Sequence, residues 1–341
     1  MATSPATSSA PAPPPLPCLV FDYGGEQPCR TLFSISDGVH RACEVDELLD
    51  NLTWPTSHGW VLAWDPETTA TFLWDPRCPG AGGRIALPPL AQPPPHWSTC
   101  ALSGSPTDAA AAGGGGCTML LSEPAGSNVL WCCHAGGEAW TRHEYDLGAI
   151  DATIRAELDG EEEGPIYSVH RLTSCRGRFY YGHSSTHCGV IDVVSPAAPP
   201  ELSTVPMESV PLLRAVGAYG AAADVSTVEI DGELYTVYVF FHGCEFDTVA
   251  DAGVYRMDFA RRKHVRVDSV GDRAILAGSA GRFGGWCPAA EYGLLPNSVY
   301  WMSTFDGRLR VFDIELGTEE VQEPCQGVGA CYPFWIIPPH P

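Results

Sequence analysis

The chain is short of positive charge. Its 341 residues hold 19 Lys and Arg against 41 Asp and Glu, a formal net charge of −22. A surface of that sign repels phosphate backbones and anionic head groups, so neither nucleic acid nor a membrane surface is an expected partner. Beyond solubility, it favours a protein partner with a basic surface. Long apolar runs are missing too. No stretch of about 18 apolar residues occurs, so no transmembrane helix is expected. Met1 to Pro17 contains neither Lys nor Arg and lacks an apolar segment, which does not read as a secretory signal. A cytoplasmic and/or nuclear location is the expectation, and Asn51-Leu52-Thr53 is a glycosylation sequon by letter only.

Motifs of catalysis are lacking as well. There is no G-x-S-x-G nucleophile elbow. The glycine run Gly113 to Gly116 is not followed by the Lys-Ser/Thr of a phosphate loop. Fourteen cysteines spread from Cys18 to Cys331 without one C-x-x-C. They read as reduced, buried, small hydrophobes. His183, His187 and Cys188 have the spacing of half a zinc site, but no second half follows, so a polar turn is the expectation. Asp65 and Asp75, near Trp60, Trp64 and Trp74, could suggest a glycosidase pair. Each precedes a proline (Pro66, Pro76), which points instead to turns. No catalytic, cofactor-binding or metal-ligating residue is assigned, and the chain is expected not to be an enzyme.

What the chain does contain is turns and short strands. It has 36 glycines, 31 prolines and 45% hydrophobic residues. A single core of this length would usually split, since cores stop growing beyond about 250–300 residues. A radial repeat avoids that limit, because each unit stacks only on its neighbours. Trp60 to Pro66 and Ala70 to Pro76 are two strand-length stretches, each closed by Asp-Pro, and predict a hairpin. Asp231-Gly232 and Asp306-Gly307 lie between apolar runs, a strong hairpin signal. An aromatic strand, a turn and then apolar-x-apolar-Asp recurs, ending at Asp192, Asp258 and Asp313. The spacing of about 40–50 residues suits propeller blades. The prediction is an all-β propeller of about six four-stranded antiparallel blades, with five to seven possible. It spans residues 18–341 behind a disordered Pro/Ala tail at 1–17, with mobile inserts near 103–116 and 159–164. Short helices are expected over Glu44 to Asn51 and Ala149 to Leu158. Gly271-Asp272-Arg273 predicts an Asp–Arg tie between blades, and the ten tryptophans are expected to fill blade cores.

Several segments, in order, resemble the DUF295 family of plants, the KIB-type propeller. Ser57-His58-Gly59-Trp60-Val61-Leu62 is similar to its S-x-G-W-L-L. Arg84 to Leu90 resembles I-x-L-P-P-L, and Gly136 to Trp140 resembles G-D-x-x-W. Ser174 to Tyr180, with Val190-Ile191-Asp192, resembles F-K-G-K-F-Y-A and the strand after it. Val270 to Leu276 is similar to L-G-D-x-A-L-F-L, with Asp272 at its acid. Pro296 to Trp301 resembles x-N-C-I-Y-F, and Pro333 to Pro338, with Trp335, resembles the closing F-W-x-x-P. The resemblance implies a Kelch-like propeller of the kind often carried behind an F-box in ubiquitin-ligase substrate receptors. It transfers no catalytic residue. The helical F-box is not apparent here, so docking to a Skp-type adaptor is not expected. The leading function is therefore non-enzymatic protein recognition. A carbohydrate-binding or glycan-acting propeller, and a structural or degenerate domain, are the alternatives.

Overall fold

The computed structural model describes residues 13–22, 30–107, 116–124, 126–147, 168–210, 223–242, 248–278, 283–325 and 333–339. The first blade takes β1 (Cys18–Asp22), β2 (Arg30–Ser34) and β3 (Val39–Ala42). A four-residue helix, α1 (Asp46–Leu49), leads to the second: β4 (Leu52–Pro55), β5 (Val61–Trp64), β6 (Thr71–Trp74) and β7 (Arg84–Leu87). The third is β8 (Thr99–Leu102), β9 (Thr118–Ser122), β10 (Val129–His134) and β11 (Thr141–Glu144). The fourth is β12 (His170–Cys175), β13 (Arg178–Ser184), β14 (His187–Asp192) and β15 (Glu201–Pro206). The fifth is β16 (Ala223–Ile230), β17 (Glu233–Phe241), β18 (Val249–Asp258) and β19 (Lys263–Val267). The sixth holds β20 (Arg273–Gly278), β21 (Phe283–Pro288), β22 (Ser298–Met302), β23 (Leu309–Asp313) and β24 (Glu319–Gln322). Finally β25 (Phe334–Ile336) pairs with β1, so the last strand completes the first blade and closes the ring.

The fold is a six-bladed β-propeller with almost no helix among the described residues. Five blades are four-stranded and antiparallel, as the strand spacing predicts. The sixth departs from that expectation. It has five strands in the order β21-β20-β22-β23-β24, and β20 runs parallel to β22. The chain lays down β20 first, folds back as β21 to form the inner edge, and returns beyond β20 as β22.

The strands' composition follows from stacking. Middle strands such as β5, β6 and β22 are buried along their whole length, because blades cover both of their faces. Such strands read as continuous apolar runs rather than alternating ones. Outer strands such as β15 and β24 are largely exposed and polar, which protects the sheet edge from pairing with other chains. The core is therefore a set of clusters at the seams, not one centre. Leu19, Phe33, Leu276 and Tyr300 join blades one and six. Val20, Leu48, Val61 and Trp74 join blades one and two. Trp54, Trp60, Trp64, Trp74, Trp140, Trp301 and Trp335 are all buried, as expected of blade-core aromatics.

Side chains also tie blade to blade. Trp140 Nε1 donates to the Pro88 carbonyl (2.9 Å) across seam two–three. Ser122 Oγ donates to the Val169 carbonyl across seam three–four (3.0 Å). Trp301 Nε1 donates to Asp224 Oδ2 (3.0 Å) across seam five–six, and Trp335 Nε1 to the Ala277 carbonyl (2.9 Å) across seam six–one. The Asp–Arg tie expected at Asp272 is a correction. Arg273 pairs instead with Asp231 of blade five at 2.6 Å, while Asp272 is exposed and 3.7 Å away. Asp231 sits in the tight β16–β17 turn, which brings it to the neighbouring blade; Asp272 precedes its strand and points to water.

The expected helix over Glu44 to Asn51 shortens to α1. Its Glu47 is buried, accepts from the Gly80 amide, and pairs with Arg84 at 2.8 Å. The other expected helix, the acidic insert and most of the Gly/Ala insert fall in 148–167 and 108–115, outside the described residues.

Candidate functional site

The innermost strands β4, β8, β12, β16, β21 and β25 all run the same way, so the channel has two distinct ends. The end where they finish is crossed by side chains and by the C-terminal segment. His58 Nε2 meets Ser174 Oγ at 2.9 Å, reaching from blade two to blade four. Gly59 has φ +82°, and a Cβ on it would lie 2.5 Å from the Pro338 carbonyl oxygen. Only a bare Cα in the left-handed region lets those two backbones touch. Two motifs almost 280 residues apart in the chain thus meet at this end.

The opposite end, where the innermost strands begin, holds a hollow of about 640 Å3. Its wall comes from the starts of β4, β8, β21 and β25 and from the loop 93–98. Trp54, Phe283, Phe334 and Trp335 give it an aromatic floor, and Pro93-Pro94-Pro95-His96-Trp97 forms one side. Trp97 is 37% exposed and meets His96 edge-on at 4.7 Å between ring centroids. The charged pair at the rim is already engaged. Arg30 Nε donates to Asp22 at 3.0 Å, and its Nη1 reaches the carbonyls of Leu48 and Asn51. The hollow is thus an apolar and aromatic recess without a free acid–base pair among its described lining residues. Pockets of this size that are mostly apolar, with a few polar groups at the edge, are the usual form of a binding site.

The residues singled out in the sequence do not line this hollow, except Trp335. Asp65 closes the β5–β6 turn, accepting from the Glu67 amide (2.8 Å) and the Thr68 hydroxyl (2.6 Å). Those bonds, the hydroxyl's foremost, hold its carboxyl below the usual range. Asp75 lies at the far end of the same hairpin and pairs with Arg77 at 2.8 Å. Four strand residues separate the two acids, a rise of about 13 Å, so they do not face one substrate. Pro66 and Pro76 sit in the turns these acids cap. Trp60 and Trp140 share one seam cluster. Asp192 pairs with Arg178 within blade four, which lowers its pKa. Asp258 accepts from the Arg261 amide, and Asp313 from those of Glu315 and Leu316, each shaping the turn after its strand. His183 and His187 meet edge-on at 6.2 Å between centroids, and burial pushes the Cys188 thiol up to about 12. Sequence reading passed over the loop 93–97. Its signal was an aromatic pair placed directly after three prolines, between two strands.

Residues 32–325 match the KIB1-4 beta-propeller family. The chain belongs to that family. No curated protein matches it at a significant level. Among solved structures it is similar to the Dos1 propeller (8% identity, TM-score 0.32, 82% of this chain and 60% of that one). The chain thus spans about 60% of that structure's length. It is also similar to the Cps50 (Swd1) beta-propeller domain of Myceliophteria thermophila (8% identity, TM-score 0.34, 97% and 98% covered). A third likeness is to the RRP9 WD40 repeats (12% identity, TM-score 0.31, 92% and 85% covered). The family membership agrees with the resemblance read from the sequence; the closing motif with Trp335 lies beyond the matched residues.

Proposed function

We propose that this KIB1-4 propeller is a non-catalytic protein-recognition domain that works in the cytoplasm or nucleus. Its recognition surface is the aromatic hollow at the end of the channel where the innermost strands begin. The observation that carries this reading is the contrast, among the described residues, between the two ends: one crossed by His58–Ser174 and Gly59–Pro338, the other holding a hollow lined by Trp54, Trp97 and Phe334. The partner would place an apolar or aromatic side chain in the hollow, flanked by basic residues that match the chain's net charge of −22. A ubiquitin-ligase receptor role belongs to the same proposal and would require an adaptor contact elsewhere.

The decisive experiment compares proximity labelling by the wild type and by Trp97→Ala, followed by direct binding of the recovered protein to both purified chains. Trp97 is exposed enough that its loss leaves the fold intact. The expected result is a partner bound by the wild type and bound about tenfold or more weakly by the variant, as for an aromatic anchor. Equal binding by both removes the hollow from the reading. Saturable binding of an oligosaccharide at the same site would replace the protein partner with a glycan.

A further inference from the structure

The seam between blades four and five is built differently from the others. Its apolar packing is split into two small clusters, one around Cys175, Leu234 and Met257, the other around Val225, Tyr238 and Phe240. Between blades lies a cleft of about 40 Å3, walled by Tyr181, Thr227, Tyr238 and His264, and Arg171 lines it.

Arg171 is held there by an unusual backbone. It has φ +54°, and β12 slips its register against β13 between His170 and Thr173. Bulges of this kind re-aim a side chain, and a left-handed arginine is a strained conformation that points to function. Across the sheet stands Gly182. A Cβ at that position would lie 3.0 Å from Arg171 Cδ and 3.3 Å from Nη1, so the bare glycine makes room for the arginine stem.

The charge so placed has no directly bonded counter-ion among the described residues. Arg171 Nε is buried with no hydrogen-bond partner among the described residues. No ion pair within 4 Å joins it to a described acid. Asp224 acts on it electrostatically, but its oxygens accept from Trp301 Nε1 (3.0 Å) and the Val225 amide (2.9 Å). Burial pushes the guanidinium down from its ordinary value, as desolvation of a cation does. Buried cations are otherwise paired. The residue as a whole keeps partial exposure, so an ion can reach it from solvent.

We propose that this cleft is an anion site taking a carboxylate, held in the planar fork of Arg171, and that the bound anion ties blades four and five together. The guanidinium offers a carboxylate two parallel hydrogen bonds. Thr227 and Tyr238 line the same space. A cleft of about 40 Å3 that opens to solvent has room for the head of a small carboxylate.

The test is a formate titration of the full chain, followed by thermal unfolding, with ionic strength held constant by a bulky organic sulfonate. The wild type is expected to gain a saturable rise in unfolding temperature, because a ligand of the native state stabilises it. Arg171→Met, similar in length and uncharged, is expected to show no rise and to unfold at a higher temperature than the wild type without formate. Arg171→Lys keeps the charge but loses the fork, and should need about tenfold more formate. A wild type without a saturable rise, or an Arg171→Met variant with the same rise, overturns the proposal. So does a lower unfolding temperature of Arg171→Met in formate-free buffer, which would mean that the chain itself supplies the counter-ion. If Arg171→Met does not fold, the wild-type and Arg171→Lys curves still decide.

Discussion

At the scale of the residue, Gly59 shows how one position can join distant parts of the chain. Alanine there would be forced into φ +82° with its Cβ 2.5 Å from the Pro338 carbonyl. Gly59→Ala is expected to lower stability by about 1–3 kcal/mol, measured by urea unfolding. Asp306 makes a different contribution. Burial raises its carboxyl's pKa, but the bonds from Arg310, Ser303 and the Arg308 amide outweigh burial, and the net value is lowered. Its pairing with Arg310 at 2.6 Å is largely shielded from water. A depressed folded pKa contributes stability that is complete above the unfolded value, about 4, and is lost as the pH falls through the folded value. Asp306→Asn should therefore destabilise the chain at pH 7 and flatten its loss of stability between pH 5 and pH 2, as followed by circular dichroism. The cysteines give a third expectation. Burial pushes the thiols of Cys132 and Cys287 up to about 12, whereas Cys78 is exposed. Iodoacetamide on the native chain should modify Cys78 well before Cys132 or Cys287, as read by peptide mass spectrometry.

At the scale of the element, the strand β25 matters more than its three residues suggest. It brings Trp335 into seam six–one and hydrogen-bonds β1, joining the chain's two ends in one blade. Removing 333–341 takes away the innermost strand of blade one and the Trp335 indole that bonds the Ala277 carbonyl of blade six. The truncated chain is expected to lose cooperative unfolding and to become protease-sensitive, with cleavage first in blades one and six. Most strands of this kind were legible in the sequence. Asp-Pro and Asp-Gly mark where hairpins turn, and continuous apolar runs such as Val61 to Trp64 mark strands covered on both faces. The extra strand in blade six was not legible. Ala274 to Ala277 reads as one ordinary buried strand, and nothing in it announces parallel pairing with β22, a strand that comes two elements later in the chain. The swap of Asp272 for Asp231 in the tie to Arg273 was hidden for a similar reason: the two acids differ only in where the folded turns carry them.

At the scale of the whole molecule, closure of six blades leaves two distinct ends of the channel, and the chain carries a net charge of −22. If the partner is basic, its association should slow as salt rises. Association measured at about 50 and about 300 mM salt is expected to differ several-fold in on-rate and little in off-rate. Trp97→Ala should instead raise the off-rate, because it removes contact area rather than long-range attraction.

The sequence by itself determined the class of the fold, the approximate number of blades and the family, because turn chemistry and strand-length apolar runs are local properties written in consecutive residues. Asp65, read as a turn residue before Pro66, accepts from the amides that follow it, whereas Asp192 pairs with Arg178 on the neighbouring strand. Only the tertiary structure decided which end of the channel holds the aromatic hollow, that Gly59 touches Pro338, and that Arg171 Nε lies in a seam without a hydrogen-bond partner among the described residues. Those features arise where segments from different blades converge, and no single stretch of sequence carries the distance between them.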